Sequence, residues 1–238
     1  MKKNYSFEVS QLKKYRLVIF SIAFFTQLLF LYFFTIVGRF DSAESDDILR
    51  NYISLSGLAS TISMCMLVVY GTVIVNRFLV KNYIGENKAR LYAYPVGRSQ
   101  LFHTKVTAFL STFFIFQLLG ISLSNILFLI TETLFPILDT AQPAVVYLVE
   151  FFVTAIATVV LTISIIFLSS IVGIHLNSTV ATMVTGIILI VIFGNILAMA
   201  FVSNLLITLS SAILIAVITG IAIKITGSKI DKEDVLTR

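Results

Sequence analysis

The chain has no tryptophan, a single cysteine, three prolines and few charges, with Asp, Glu, Lys and Arg making up 12% of its 238 residues. A soluble domain carries about a quarter of its residues as charges. With 58% of the residues hydrophobic, there is too little polar surface to shield the chain from water, and its natural solvent is a bilayer. The lone Cys65 lies in an apolar run. It cannot form an internal disulfide and says nothing about redox compartment. The only histidines, His103 and His175, lie in different segments, neither with a carboxylate at metal-ligand spacing. H-E-x-x-H is absent, and Gly220 with Gly227-Ser228-Lys229 has the wrong spacing for a phosphate-binding loop. The net charge of +5 does not point to nucleic acid, because the charges are confined to a few short loops.

Against these absences stand long apolar runs. A membrane helix needs roughly 20 apolar residues, and such runs occupy 17–37, 55–75, 106–130 and 145–172. The charge-free stretch 180–223 is too long for one helix. Dividing it near Ser203-Asn204 gives a fifth helix over 180–202 and a sixth over 204–223. A break after Gly194, with 195–203 turning back into the outer leaflet, is the alternative, and protein would then have to cover the irregular backbone. The expected fold is an all-α membrane protein of six transmembrane helices forming one domain over 1–238.

Fifteen of the seventeen Lys and Arg residues then fall on one side, in segments 1–16, 77–105 and 224–238. The other side holds Arg39 and Arg50 among several acids. The basic side is therefore expected in the cytoplasm, with both termini there and the chain in a bacterial plasma membrane. The N-terminus lacks the short lead and A-x-A site of a signal peptide. Residues 5–16 read instead as an interfacial helix, with Tyr5, Val9 and Leu12 on one face and lysines reaching lipid headgroups.

The helix cores lack Asp, Glu, Lys and Arg; Glu150, near the outer end of the fourth helix, comes closest. Ion-coupled carriers and pumps keep charged groups at depth, so any transport here would draw its energy from elsewhere. Polar neutral residues are present: Gln27, Ser60, Ser63, Gln117, Asn125 and Asn195 are the candidates for lining a substrate cavity. Thr154, Thr158 and Thr162 recur every four residues on one helix face, a pattern that also suits helix packing.

The long basic loop carries the most information. Glu86 to Tyr94 has the composition of a short amphipathic helix at the membrane surface, stopped by Pro95 and Gly97, and Ser99 is placed to cap the next helix. The order Glu86, Lys88, Arg90, then Pro95-Val96-Gly97-Arg98, then Lys105 just before the third span resembles the ABC-2 family of ATP-binding-cassette exporter permeases. In size and composition the chain is also similar to permeases exporting phenol-soluble modulins in staphylococci. The sequence departs from the family at Gly97, where Ser is more common, and at Ala89 and Leu91, where Gly-Thr often stands.

The resemblance implies that this loop is a coupling helix seated on a separate cytosolic ATPase. Glu86, Lys88, Arg90, Tyr92, Tyr94, Pro95 and Arg98 would make or brace the contact. It further implies a second permease chain, identical or similar, and ATP with Mg²⁺ bound by the ATPase, so that this chain is no enzyme and holds no cofactor or metal. The implied cargo is amphipathic or antimicrobial peptide leaving a Gram-positive bacterium. A CAAX-type intramembrane protease would need paired Glu and His at depth, which are missing. A non-transporting immunity or scaffold protein has the same composition and differs only in having no use for the loop.

Overall fold

The structure is a computed structural model that describes residues 2–40, 51–92, 97–138, 144–203 and 205–232. The side chains of 2, 3, 89, 90, 92, 144, 195–203 and 205 are outside that description. Among the described residues every regular element is helical. These are α1 (Lys2–Gln11), α2 (Lys13–Phe40), α3 (Tyr52–Phe78), α4 (Gly85–Tyr92), α5 (Arg98–Leu134), α6 (Leu148–His175), α7 (Thr179–Ser203) and α8 (Leu205–Lys232), with short 3₁₀ turns at Val80–Asn82 and Ala144–Tyr147.

Among the described residues, five helices are long and apolar enough to cross a membrane: α2, α3, α5, α6 and α8. The described apolar part of α7, Thr179–Gly194, falls short of that length. Its backbone nonetheless stays helical through Gly194 and Asn195 to Ser203, so the break after Gly194 is absent. The helices outrun the apolar runs. The third run was expected to start after Lys105, yet α5 starts at Arg98 and has 37 residues, about 55 Å of helix at 1.5 Å per residue. Ser99 is therefore not the cap; Gly97 takes that place, without a side-chain bond. At the start of α3 the Asn51 side chain does cap, accepting from the Ile53 N–H at 3.0 Å.

Helix directions follow from paired contacts. Phe20 and Ala23 meet Gly120, Phe24 meets Ser124, Gln27 meets Asn125 and Tyr32 meets Phe128, so α2 and α5 run parallel. α3 and α6 also run parallel, through Tyr52 with Tyr147 and Gly71 with Ile166. α6 is the most buried span and contacts α3, α5, α7 and α8; α2 and α8 are the least buried. The start of α7 returns to the end of α3, where Asn76 Nδ2 donates to the Thr179 carbonyl at 2.9 Å. The end of α8 returns to the start of α5, where the His103 ring lies against Gly227. Hence the α1–α2 junction, the α3–α5 connection, the α6–α7 turn and the end of α8 gather at one end of the bundle, which we call the basic end.

The opposite end is closed by a buried carboxylate. Glu132 is 2% exposed. Its Oε1 accepts from the Ile137 N–H (2.9 Å), the Leu138 N–H (3.0 Å) and the Tyr52 hydroxyl (3.1 Å). Two backbone N–H groups of the turn that follows α5 are thereby satisfied, which sequence alone did not indicate.

Candidate functional site

Residues at the end of α3 set the shape of the connection. The Leu79 N–H bonds to the Val75 carbonyl at 2.7 Å and closes the helix, and Asn82 Nδ2 reaches back to the Phe78 carbonyl at 2.7 Å. Tyr83, 1% exposed, packs edge-on against Phe102 of α5 with ring centroids 5.4 Å apart. Gly85 then adopts φ +57°, a left-handed conformation that costs glycine little, and α4 starts there. Asn87 Nδ2 donates to the Lys81 carbonyl at 3.2 Å. Leu91, half-buried, packs on the main core. α4 is thus a short surface helix pinned at both ends to the bundle.

Of the residues expected to couple, Glu86 is exposed, whereas Lys88 and Arg98 are half-buried. Arg90 and Tyr92 lie on the second turn of α4, with side chains outside the described residues. Tyr94 and Pro95 are also outside them. The expected helix to Tyr94 is described only to Tyr92.

Next to α4 lies an element the sequence reading placed differently. The apolar face of α1 was expected to meet lipid, but Val9 and Leu12 pack into the protein core. α1 runs antiparallel along the start of α5, Tyr5 meeting Ser111 hydroxyl to hydroxyl at 2.8 Å and Glu8 meeting Lys105. The Glu8 carboxylate accepts from Lys105 Nζ at 2.8 Å, each residue being 5% exposed. The same ammonium sits 4.7 Å from the centre of the Phe78 ring, a favourable position for a desolvated cation. Sequence reasoning matched Lys105 to the family pattern but missed Glu8. The available signal was that Glu8 is the only acid among the first forty residues, within a lysine-rich segment. The pair forms one wall of a cleft of about 480 Å³, together with Phe7, Asn82, Leu91 and Leu101. Thus α1, α4 and α5 line one cleft at the basic end, α4 contributing Leu91.

The expected cavity residues divide into two groups. Gln27, Ser60, Ser63 and Asn125 come together, each at most 3% exposed. Gln27 Nε2 donates to Ser60 Oγ (3.1 Å) and Asn125 Oδ1 (3.0 Å), and Ser63 Oγ donates to Gln27 Oε1 (2.9 Å). Asn125 Nδ2 completes the set on the Phe151 carbonyl at 3.3 Å. These residues tie α2, α3, α5 and α6 together and satisfy one another. Gln117 lies apart, donating to Thr162 Oγ1 at 2.9 Å. The Asn195 side chain is outside the described residues. The Thr154–Thr158–Thr162 stripe is buried, each hydroxyl donating to the carbonyl four residues back.

Gln27→Leu should therefore destabilise the bundle by about 2 kcal/mol, three bonds at the ~0.6 kcal/mol typical of membrane interiors. Detergent-to-SDS unfolding would measure this, and a change below a few tenths would contradict the assignment.

Among the described residues, no group of three or more His, Cys, Asp or Glu side chains is placed to hold a metal. No protein-family model, curated protein or solved structure matches the chain.

Proposed function

We propose that the chain is the membrane-spanning permease subunit of an ATP-driven exporter of the ABC-2 type. The observation that carries the reading is α4. Residues 85–92 of the loop with the family-like order fold as a short helix held at the basic end of the bundle, ahead of α5, the longest helix among the described residues. A partner pressing on α4 would act on the 3₁₀ turn at Val80–Asn82, against which α4 packs, and through Tyr83 against Phe102 on α5, which packs on α2, α6 and α8. In this reading the basic end faces the cytoplasm. α7 carries the chain across between α6 and α8, giving six crossings in all. A separate cytosolic ATPase binding ATP and Mg²⁺ engages α4, and a second permease chain completes the conduit. The cargo is an amphipathic peptide, in keeping with an apolar bundle whose interior polar groups are neutral.

The test is co-purification with a candidate cytosolic ATP-binding-cassette ATPase from the same organism. Replacing 86–92 with a Gly-Ser linker of equal length, with the helical content of the membrane bundle retained, should reduce capture by about tenfold or more. Undiminished capture would sink the coupling role of α4.

A second reading, a non-transporting immunity or scaffold protein, is favoured by one observation: Gln27, Ser60, Ser63 and Asn125 satisfy one another and need no cargo. Reconstitution separates the two, since amphipathic peptide should stimulate ATP hydrolysis by the complex only if the chain transports.

A further inference from the structure

We infer that a groove between α5 and α8 is a binding site for one acyl chain of an anionic phospholipid, with the acidic headgroup held at the basic end by Lys224. α5 and α8 both lean on α6 and leave between them a groove of about 270 Å³. Its walls include Leu110 and Phe114 of α5, Phe167 of α6, and Gly220 and Ile223 of α8. Two hydroxyls, those of Ser164 and Thr219, also line it. Both are already committed, Ser164 Oγ to the Val160 carbonyl and Thr219 Oγ1 to the Ile215 carbonyl, each at 2.8 Å. Among the described residues, none that lines the groove bears a charge. The groove therefore offers a hydrocarbon surface and no hydrogen-bonding preference, which suits an acyl chain.

The ends of the groove set the headgroup. Towards the basic end the lining face of α5 continues through Thr107 to His103, by the 100° per residue of a helix. The His103 ring lies over Gly227, so close that a β-carbon there would sit 2.6 Å from Nε2. α5 and α8 are thus in contact just beyond the groove and close it at that end. One turn on from Gly220, on the same side of α8, stands Lys224, exposed. The nearest acid on α8 is Asp231, seven residues further, about 10 Å along the axis. An apolar slot ending at an exposed lysine is complementary in charge and polarity to an anionic lipid, whereas a zwitterionic lipid gains only the slot.

The absence of native tryptophan gives a clean test. In Phe114→Trp the new side chain is the sole indole, and brominated lipids that reach it quench its fluorescence. Phe25→Trp, on the exposed face of α2 (64% exposed), reports ordinary lipid contact. In mixed bilayers, dibrominated phosphatidylglycerol should quench the groove indole of Phe114→Trp about fivefold better than dibrominated phosphatidylcholine, the ratio equivalent to ~1 kcal/mol for one basic residue near the surface. The surface indole of Phe25→Trp should show no preference. Adding Lys224→Gln to Phe114→Trp should bring the ratio to near unity. Adding Gly220→Leu should exclude both lipids; a β-carbon at Gly220 meets nothing within 4 Å, so the side chain fills the slot without a clash. Three results would each overturn the proposal: equal quenching of the groove indole by the two lipids, a preference that survives Lys224→Gln, or protection from both lipids in Phe114→Trp itself. The last would mean that another protein surface covers the groove.

Discussion

Lys105→Ala will release α1 from the bundle while leaving the spans assembled. The substitution strands the Glu8 carboxylate in a site where both members of the pair are 5% exposed. Removing one partner of a buried pair costs about 3–5 kcal/mol, because the remaining charge keeps its desolvation penalty. α1 has only ten residues and packs chiefly on α5, so undocking it relieves that cost at little expense elsewhere. Hydrogen exchange in detergent should show amides of α1 losing protection by about a hundredfold or more, with α6 unchanged. The combination Glu8→Leu with Lys105→Met should restore docking to within about 1 kcal/mol, since an apolar pair of similar volume is often neutral. Unchanged protection of α1 in Lys105→Ala would show that the ion pair does not hold it.

Gly120→Leu is expected to be strongly damaging. A β-carbon at Gly120 would lie 2.7 Å from the Ala23 β-carbon, 2.9 Å from the Phe20 carbonyl oxygen and 3.2 Å from the Phe24 nitrogen. Two of these three atoms are backbone of α2 and cannot rotate away, so the helices must separate. Separation would also stretch the bond from Ser124 Oγ to the Phe24 carbonyl, 2.7 Å long. Overpacking costs about 1–3 kcal/mol and occasionally more; with the bond lost as well, about 3 kcal/mol is expected in SDS unfolding. Gly120→Ala adds the same β-carbon and should already cost a large part of this. Gly220→Leu provides the contrast, with an effect near zero from the same substitution on an open face. Equal effects at the two glycines would refute the close approach of α2 and α5.

These two sites show what the sequence disclosed and what it concealed. Hydropathy located the apolar runs because lipid selects for them residue by residue. Their ends were set too short, since Arg98 to Lys105 continue as helix outside the apolar zone, where charge carries no information about backbone. The division expected near Ser203-Asn204 came from run length alone and falls at Asn204, outside the described residues, between α7 (Thr179–Ser203) and α8 (Leu205–Lys232). Gln27, Ser60, Ser63 and Asn125 were recognisable as unusual for an apolar helix, but their joining into one set depends on helix azimuths that no single run encodes. Glu8 was concealed for a similar reason, its partner lying on another helix. α4 was legible because Pro95 and Gly97 act locally, whereas its attachment through Tyr83 and Phe102 is a tertiary contact. Gly120 is one of eleven glycines, and nothing in its neighbours marks it as the one a second helix touches.

The link between Glu8 and Lys105 also bears on how the chain is made. The two residues are 97 apart in sequence. At roughly 5–20 residues per second, α1 leaves the ribosome about 5–20 s before the lysine that neutralises it. For that interval the N-terminal helix has no seat, and the first two spans must enter the membrane without it. The docking of α1 is therefore a late event in biogenesis, one that can occur only after the α3–α5 connection has been synthesised and α5 has been inserted.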